Sequence, residues 1–122
     1  MKEIISIHIG QAGVQMGASL WNTYCMEHGV GMDGRLIEEK RDDSTLDNIH
    51  SVFYETKDGR YVPRSLFFDL DPSTVDWVRH SLPISRLFNP SDCISGKEDG
   101  ASNYSLSYYC MGRGNTWSRL WM

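Results

Sequence analysis

An α/β fold with parallel strands is what this 122-residue chain predicts, on three observations. A strand-like run from Glu3 to Ile9 gives way, at Gly10-Gln11-Ala12-Gly13, to a segment with helical period. A second apolar run, Ser65-Leu66-Phe67-Phe68-Asp69-Leu70, ends in acid, and Asp71-Pro72 follows as a helix start. Strand, long helix, strand and helix in that order favour parallel strands joined by right-handed crossovers.

Each element has its own warrant. Ile5, Ile7 and Ile9 fall on one face of the first strand, and Ile4, Ser6 and His8 on the other. After the turn, Val14, Gly17, Leu20, Trp21, Tyr24, Cys25 and His28 keep the 3–4 spacing of a helix over about residues 11–28, with Gly29 placed to cap it. Gly17 on the buried stripe would let that helix lie close to the sheet. Residues 29–60 read as mostly loop, from the turn signals Gly29-Val30-Gly31 and Asp33-Gly34 and the charged run Glu38 to Asp43. In the short helix after Asp71, the acid is the N-cap, proline takes the first position, and Val75, Val78 and Trp77 supply the apolar side. A short third strand is expected around Cys93-Ile94, and a loop from Ser95 to Gly100 leads to a helix start at Asn103.

The chain is long enough for one core, and its 40% apolar and 23% charged residues are those of a folded protein. A net charge of −4 argues against nucleic acid or an anionic membrane as partner. The segment after Tyr104 carries Arg113 and Arg119 with no acid, and two charges are too few for a membrane or RNA tail. No apolar run approaches a membrane span, and Met1-Lys2-Glu3 does not begin a secretory signal. Cys25, Cys93 and Cys110 are scattered and without metal-ligand spacing, as reduced thiols of a cytosolic protein would be.

Gly10-Gln11-Ala12-Gly13 is the chemically suggestive stretch. A glycine turn between strand and helix aims backbone N–H groups and the positive end of the helix dipole at one spot, which suits a phosphate. Gln11 could add a side-chain amide donor. Gly10, Gly13 and Gly17 do not form the dinucleotide G-x-G-x-x-G fingerprint, Gly96-Lys97 is not a Walker A lysine, and a plain strand–helix turn would look the same. Asp69 and Asp71 sit two apart at a strand end, where a parallel sheet opens its ligand crevice. They could hold Mg²⁺ through waters, or Asp71 could be only a helix cap with Asp69 solvated. The glycine-flanked loop Gly96 to Asn103 could bring amides to another side of a phosphate. His8 reads as a hydrogen-bonded structural histidine, and Cys93 has no identifiable histidine partner for nucleophilic chemistry.

Four separated motifs in order make the chain resemble the tubulin family, and its α type in particular. They are Ile5-Ser6-Ile7-His8-Ile9-Gly10-Gln11-Ala12-Gly13-Val14-Gln15, Tyr24-Cys25-Met26-Glu27-His28-Gly29, Val62-Pro63-Arg64-Ser65-Leu66-Phe67-Phe68-Asp69-Leu70-Asp71-Pro72, and Ser95-Gly96-Lys97-Glu98-Asp99. Ala12 and the long loop around Lys40 favour the α type. The resemblance covers about residues 1–109, with 110–122 as a divergent tail. It implies the N-terminal part of an incomplete Rossmann-like GTPase domain that binds GTP and Mg²⁺. By resemblance Gly10, Gln11 and Ala12 lie against the phosphates, and Asp69 and Asp71 lie nearby, with Asp71 helping to bind Mg²⁺. Asp99, Gly100, Ala101 and Ser102 flank the phosphates.

Lys40 matches an acetylated lysine of the family, although Glu39 and Arg41 differ from the usual neighbours. Further departures are Asp71 for glutamate, Ser102 for asparagine and Gly100 for alanine, with one extra residue near Pro83. The implied setting is the cytoplasm and cytoskeleton, as a microtubule subunit paired with β-tubulin and served by folding chaperones. The family's glycine-rich phosphate loop, guanine-reading asparagines and catalytic glutamate match nothing here, so the chain is expected to bind GTP poorly by itself. Alternatives are a divergent piece that no longer binds GTP, a chaperone-binding decoy, or a small dinucleotide-dependent enzyme, for which only Glu38 and Glu39 offer the ribose acid.

Overall fold

A computed structural model describes residues 2–38, 43–96, 100–101, 103–106 and 108–109. Lys40, Asp99, Ser102, Cys110 and the whole 110–122 segment lie outside the described residues. Strand β1 (Ser6–Ile9) runs directly into helix α1 (Gly10–His28), and the break in period at Gly10 is where strand becomes helix. Gly29 closes α1 in the left-handed conformation at φ 68°, its N–H donating to the Cys25 carbonyl, as an αL cap requires. Helix α2 (Asp43–Val52) follows, then β2 (Phe53–Glu55), β3 (Tyr61–Pro63) and β4 (Ser65–Asp69). Helix α3 (Pro72–Asp76) passes into a π-helical turn (Trp77–Ser81). Two 3₁₀ turns (Pro83–Leu87 and Pro90–Asp92) then lead to β5 (Cys93–Ser95).

The sheet order is β1-β4-β5, parallel throughout, so the expected α/β architecture is the observed one. Pairing is in register from Ser6 opposite Ser65 to Ile9 opposite Phe68, and from Phe67 opposite Cys93 to Asp69 opposite Ser95. A side-chain period of two then puts His8, Phe67 and Cys93 on the face that α1 covers. Val14, Trp21, Phe67, Val75 and Val78 have no solvent exposure and fill the space between helices and sheet, with Leu87 and Phe88 closing one side.

The isoleucine face of β1 is not in this core. Ile5, Ile7 and Ile9 are 64%, 57% and 71% exposed, while Ser6 and His8 point inward. Leu66, Phe68 and Ile94 share the isoleucine face and are only half-buried. Strands apolar on both faces mark a parallel sheet built to be covered on both.

One expectation is refined and one is corrected. Within 29–60, read as mostly loop, α2 and β2 take Asp43–Glu55, and β2 pairs with β3 as an antiparallel hairpin. Ile49 and Phe53 are fully buried, and the Thr56–Arg60 turn closes through Gly59 at φ 78°. The Ile4 and Arg64 amides donate to the Ser51 and Val52 carbonyls, tying the end of α2 to the sheet. Trp77 does not contribute to the apolar side of α3, being 36% exposed, whereas Val75 and Val78 are buried.

Candidate functional site

The ends of three strands meet. The β1–β4 register ends at Ile9 opposite Phe68, so Gly10 and Asp69 are the next residues of their segments, and Asp69 lies opposite Ser95. The Gly96 N–H donates to the Asp69 carbonyl at 2.9 Å. The three segments leaving the carboxyl edge of the sheet are therefore Gly10-Gln11-Ala12, Leu70-Asp71-Pro72 and Gly96 onward. A parallel α/β sheet binds ligands at this edge.

Gly10 takes φ 77°, where a side chain would be strained, and a Cβ built on it would meet nothing within 4 Å. Glycine is needed there for its backbone, and the space in front of it is open. Helix α1 begins with no capping side chain and no acid in its first turn, and Gln11 and Ala12 are exposed. A 19-residue helix thus presents its positive end and first N–H groups uncompensated by side chains. An anion is the natural complement of such a terminus.

The two acids have local partners. Asp71 caps α3, its Oδ1 accepting from the Ser73 N–H at 2.9 Å and the Ser73 hydroxyl at 2.8 Å. Asp69 Oδ1 accepts from the Asp71 N–H at 3.3 Å, which turns the chain out of the strand. Among the described residues no three His, Cys, Asp or Glu side chains gather as a metal site. Two acids engaged in this way could serve a metal only through its bound waters.

Further along the chain, Gly100 is buried and its carbonyl accepts from the Asn103 N–H at 2.9 Å. Ala101 sits at φ 48°, in the left-handed region, and is exposed. Asn103 Oδ1 accepts from the Leu106 N–H at 3.2 Å, so the expected helix start at Asn103 is present. Gly96, not singled out as a site residue, fixes the fit. A Cβ there would lie 2.8 Å from the Leu70 carbonyl oxygen, so only glycine lets these two exits pass. Its proximity to a strand end was the available signal.

Other residues resolve as structural. Cys25 and Cys93 are buried, and burial pushes the Cys25 thiol up to about 11, so neither is poised as a nucleophile. An open groove of about 1070 Å³ lies elsewhere, between the β2–β3 hairpin and residues 79–90, lined by Thr56, Arg60 and Arg86 among others. None of the candidate phosphate residues lines it.

A strand–glycine turn–helix at the edge of a parallel sheet, with acids on the neighbouring strand, defines a nucleotide-type α/β domain. Residues 3–121 match the Tubulin/FtsZ family, GTPase domain, and the chain belongs to that family. It is 48% identical to the tubulin alpha-2 chain of Homarus americanus over 113 residues, 93% of this chain and 25% of the relative. It is 50% identical to the tubulin alpha-2 chain of Emericella nidulans and 46% to the tubulin alpha-1 chain of Arabidopsis thaliana. Those alignments cover 91% and 93% of this chain and 25% of each relative. The chain thus spans about a quarter of the length of these relatives. No helix among the described residues is long and apolar enough to cross a membrane.

Proposed function

We propose that the carboxyl edge of β1-β4-β5 is the phosphate side of a GTP–Mg²⁺ site, and that the chain represents the corresponding part of an α-tubulin-type microtubule subunit. The reading is carried by one observation, the uncapped start of α1 behind an open Gly10, at the end of a strand paired with the one that ends in Asp69. Backbone amides of Gly10, Gln11 and Ala12 bind phosphate oxygens, and the Gln11 amide adds a donor. Gly100 and Ala101 approach from the β5 side, together with Asp99 and Ser102. Asp71, with Asp69 beside it, orients Mg²⁺-bound water, and the metal when bound neutralises phosphate charge. No catalytic residue is assigned.

β-Tubulin in a heterodimer, microtubules and the cytoskeleton are the partners and place this reading implies, with folding chaperones on the way. Acetylation of Lys40 belongs to the same reading. Family membership favours guanine nucleotide over a dinucleotide cofactor. The 122 residues alone are proposed to bind GTP weakly, because contacts from the remaining length of the relatives are not made by them.

Amide NMR of the labelled chain titrated with GTP–Mg²⁺ tests this. Shifts confined to residues 10–12 and 100–101, saturating only in the millimolar range, are expected. No shift at those amides, or shifts centred on the groove at Arg60 and Arg86, would overturn the site. Saturation at micromolar GTP would overturn the claim of weakness. A silent 10–12 turn in a chain that still captures chaperones would instead favour the decoy.

A further inference from the structure

Between β1 and α1, just behind the glycine turn, lies a contact that phosphate binding does not use. His8 points from the strand into the helix, its ring stacked on Phe67 with centroids 4.9 Å apart. Trp21 Nε1–H donates to His8 Nε2 at 3.2 Å, across thirteen residues of chain. The ring lies against Gly17, where a Cβ would come within 2.5 Å of His8 Cγ. Gly13 faces the same strand residue, its Cβ position 3.7 Å from the His8 carbonyl carbon.

The Trp21 bond imposes a protonation state. An indole N–H only donates, so His8 Nε2 must be a bare acceptor and the ring neutral, with its proton on Nδ1. We propose that the His8–Trp21 pair is a proton-sensitive latch that holds the first turns of α1, and with them the Gly10 turn, on β1. A proton on Nε2 turns acceptor into donor and sets two N–H groups facing each other. It also places a charge among Gly17, Trp21 and Phe67, none of which is charged. Gly17 allows no retreat towards the helix and Phe67 covers the ring, so the protonated ring is accommodated only if α1 lifts away. Burial also pushes the His8 pKa below its usual range, in line with a ring kept neutral.

The sign follows from linkage. With the folded pKa below the unfolded one, the unfolded chain binds more protons as pH falls through about 6.5. The latch is therefore intact above that pH and loses up to about tenfold in equilibrium constant per pH unit below it, until the folded ring also titrates. It stands whether or not the turn meets a phosphate.

The experiment is hydrogen exchange of the Gly10–Trp21 amides in the wild-type chain at pH 7.5 and 5.5, corrected for intrinsic exchange. It is run beside His8→Gln, whose amide oxygen accepts from Trp21 without titrating, and His80→Gln as an exposed control. The wild type and His80→Gln should lose protection on acidification, up to about tenfold more than His8→Gln. Equal losses in the wild type and His8→Gln, or a loss removed equally by His80→Gln, would overturn the latch. NMR titration of the wild-type His8 ring gives a check that needs no variant: a midpoint at or above 6.5 would overturn it too.

Discussion

Gly17→Ala is the sharpest test of how α1 meets the sheet, because two physical terms predict opposite signs. Alanine is the better helix former, and in a helix interior the exchange should stabilise by about 1 kcal/mol. The added methyl, however, would stand 2.5, 2.6 and 2.8 Å from three atoms of the His8 ring. That ring is stacked on Phe67 and bonded to Trp21, so it cannot swing aside without losing both. Overpacking of this kind costs about 1–3 kcal/mol, and a buried Trp21 N–H left without its acceptor costs about 1–3 kcal/mol more. The net expectation is destabilisation by about 1–5 kcal/mol, and at roughly 4 °C per kcal/mol for a domain of this size, a melting point lower by ~4–20 °C. Thermal unfolding followed by circular dichroism reads it directly. A double mutant sharpens the test: with His8→Ala the ring is gone, so Gly17→Ala should cost nothing further and instead recover part of the helix-propensity gain. A Gly17→Ala chain melting at or above the wild-type temperature would show that the helix does not lie on the histidine as described.

The remaining predictions concern other parts of the fold. Ile7→Lys combined with Ile9→Lys should raise the soluble yield of the 122-residue chain and lower its binding of a hydrophobic dye, with stability changed by no more than about 0.5 kcal/mol, since both side chains are exposed. A large loss of melting temperature would mean the isoleucines are packed after all. Gly96→Ala should destabilise by about 1–3 kcal/mol in urea unfolding, because its methyl meets the Leu70 carbonyl oxygen. Gly10→Ala should cost about 1–2 kcal/mol from backbone conformation alone, since nothing stands in its way. Cys25, with its thiol pushed up to about 11, should react with a disulfide reagent at pH 8 far more slowly than the same residue in urea-unfolded chain, and a rate unchanged by urea would contradict its burial.

What was legible in the sequence was local and periodic. The Ile9–Gly10 break, the Gly29 cap and the Asp71-Pro72 start each follow from the backbone preferences of one or two residues, and each stands where expected. Helix α2 and the β2–β3 hairpin do not follow from the reading of 29–60 as mostly loop, which rests on the turn signals and the charged run Glu38 to Asp43. Yet Asp58-Gly59 between Phe53-Tyr54 and Tyr61-Val62 is a hairpin signal, and Ile49, Val52 and Phe53 keep a helical apolar spacing up to the strand. The face of β1 turned inward was not legible at all. Both faces carry apolar residues, so period two cannot say which one α1 covers. The choice falls to Gly17, whose missing side chain makes room for His8 and leaves Ile7 and Ile9 outside.

Asp71 shows how a structural and a proposed functional role can rest on one side chain. Its Oδ1 already caps α3 through both Ser73 donors, so the short carboxylate is held at the strand exit and does not reach freely into the crevice. A carboxylate so fixed suits a water-mediated role towards Mg²⁺ better than direct ligation, which would compete with the cap. The two roles are separable by substitution. Asp71→Ser keeps a good N-cap and should stay within about 0.5 kcal/mol of wild type, while Asp71→Ala should lose about 1 kcal/mol. If Asp71 serves the metal, both variants should abolish the dependence of the 10–12 amide shifts on Mg²⁺ at fixed GTP, although only alanine weakens the fold. A Mg²⁺ dependence retained in Asp71→Ser would leave the acid with capping as its whole function.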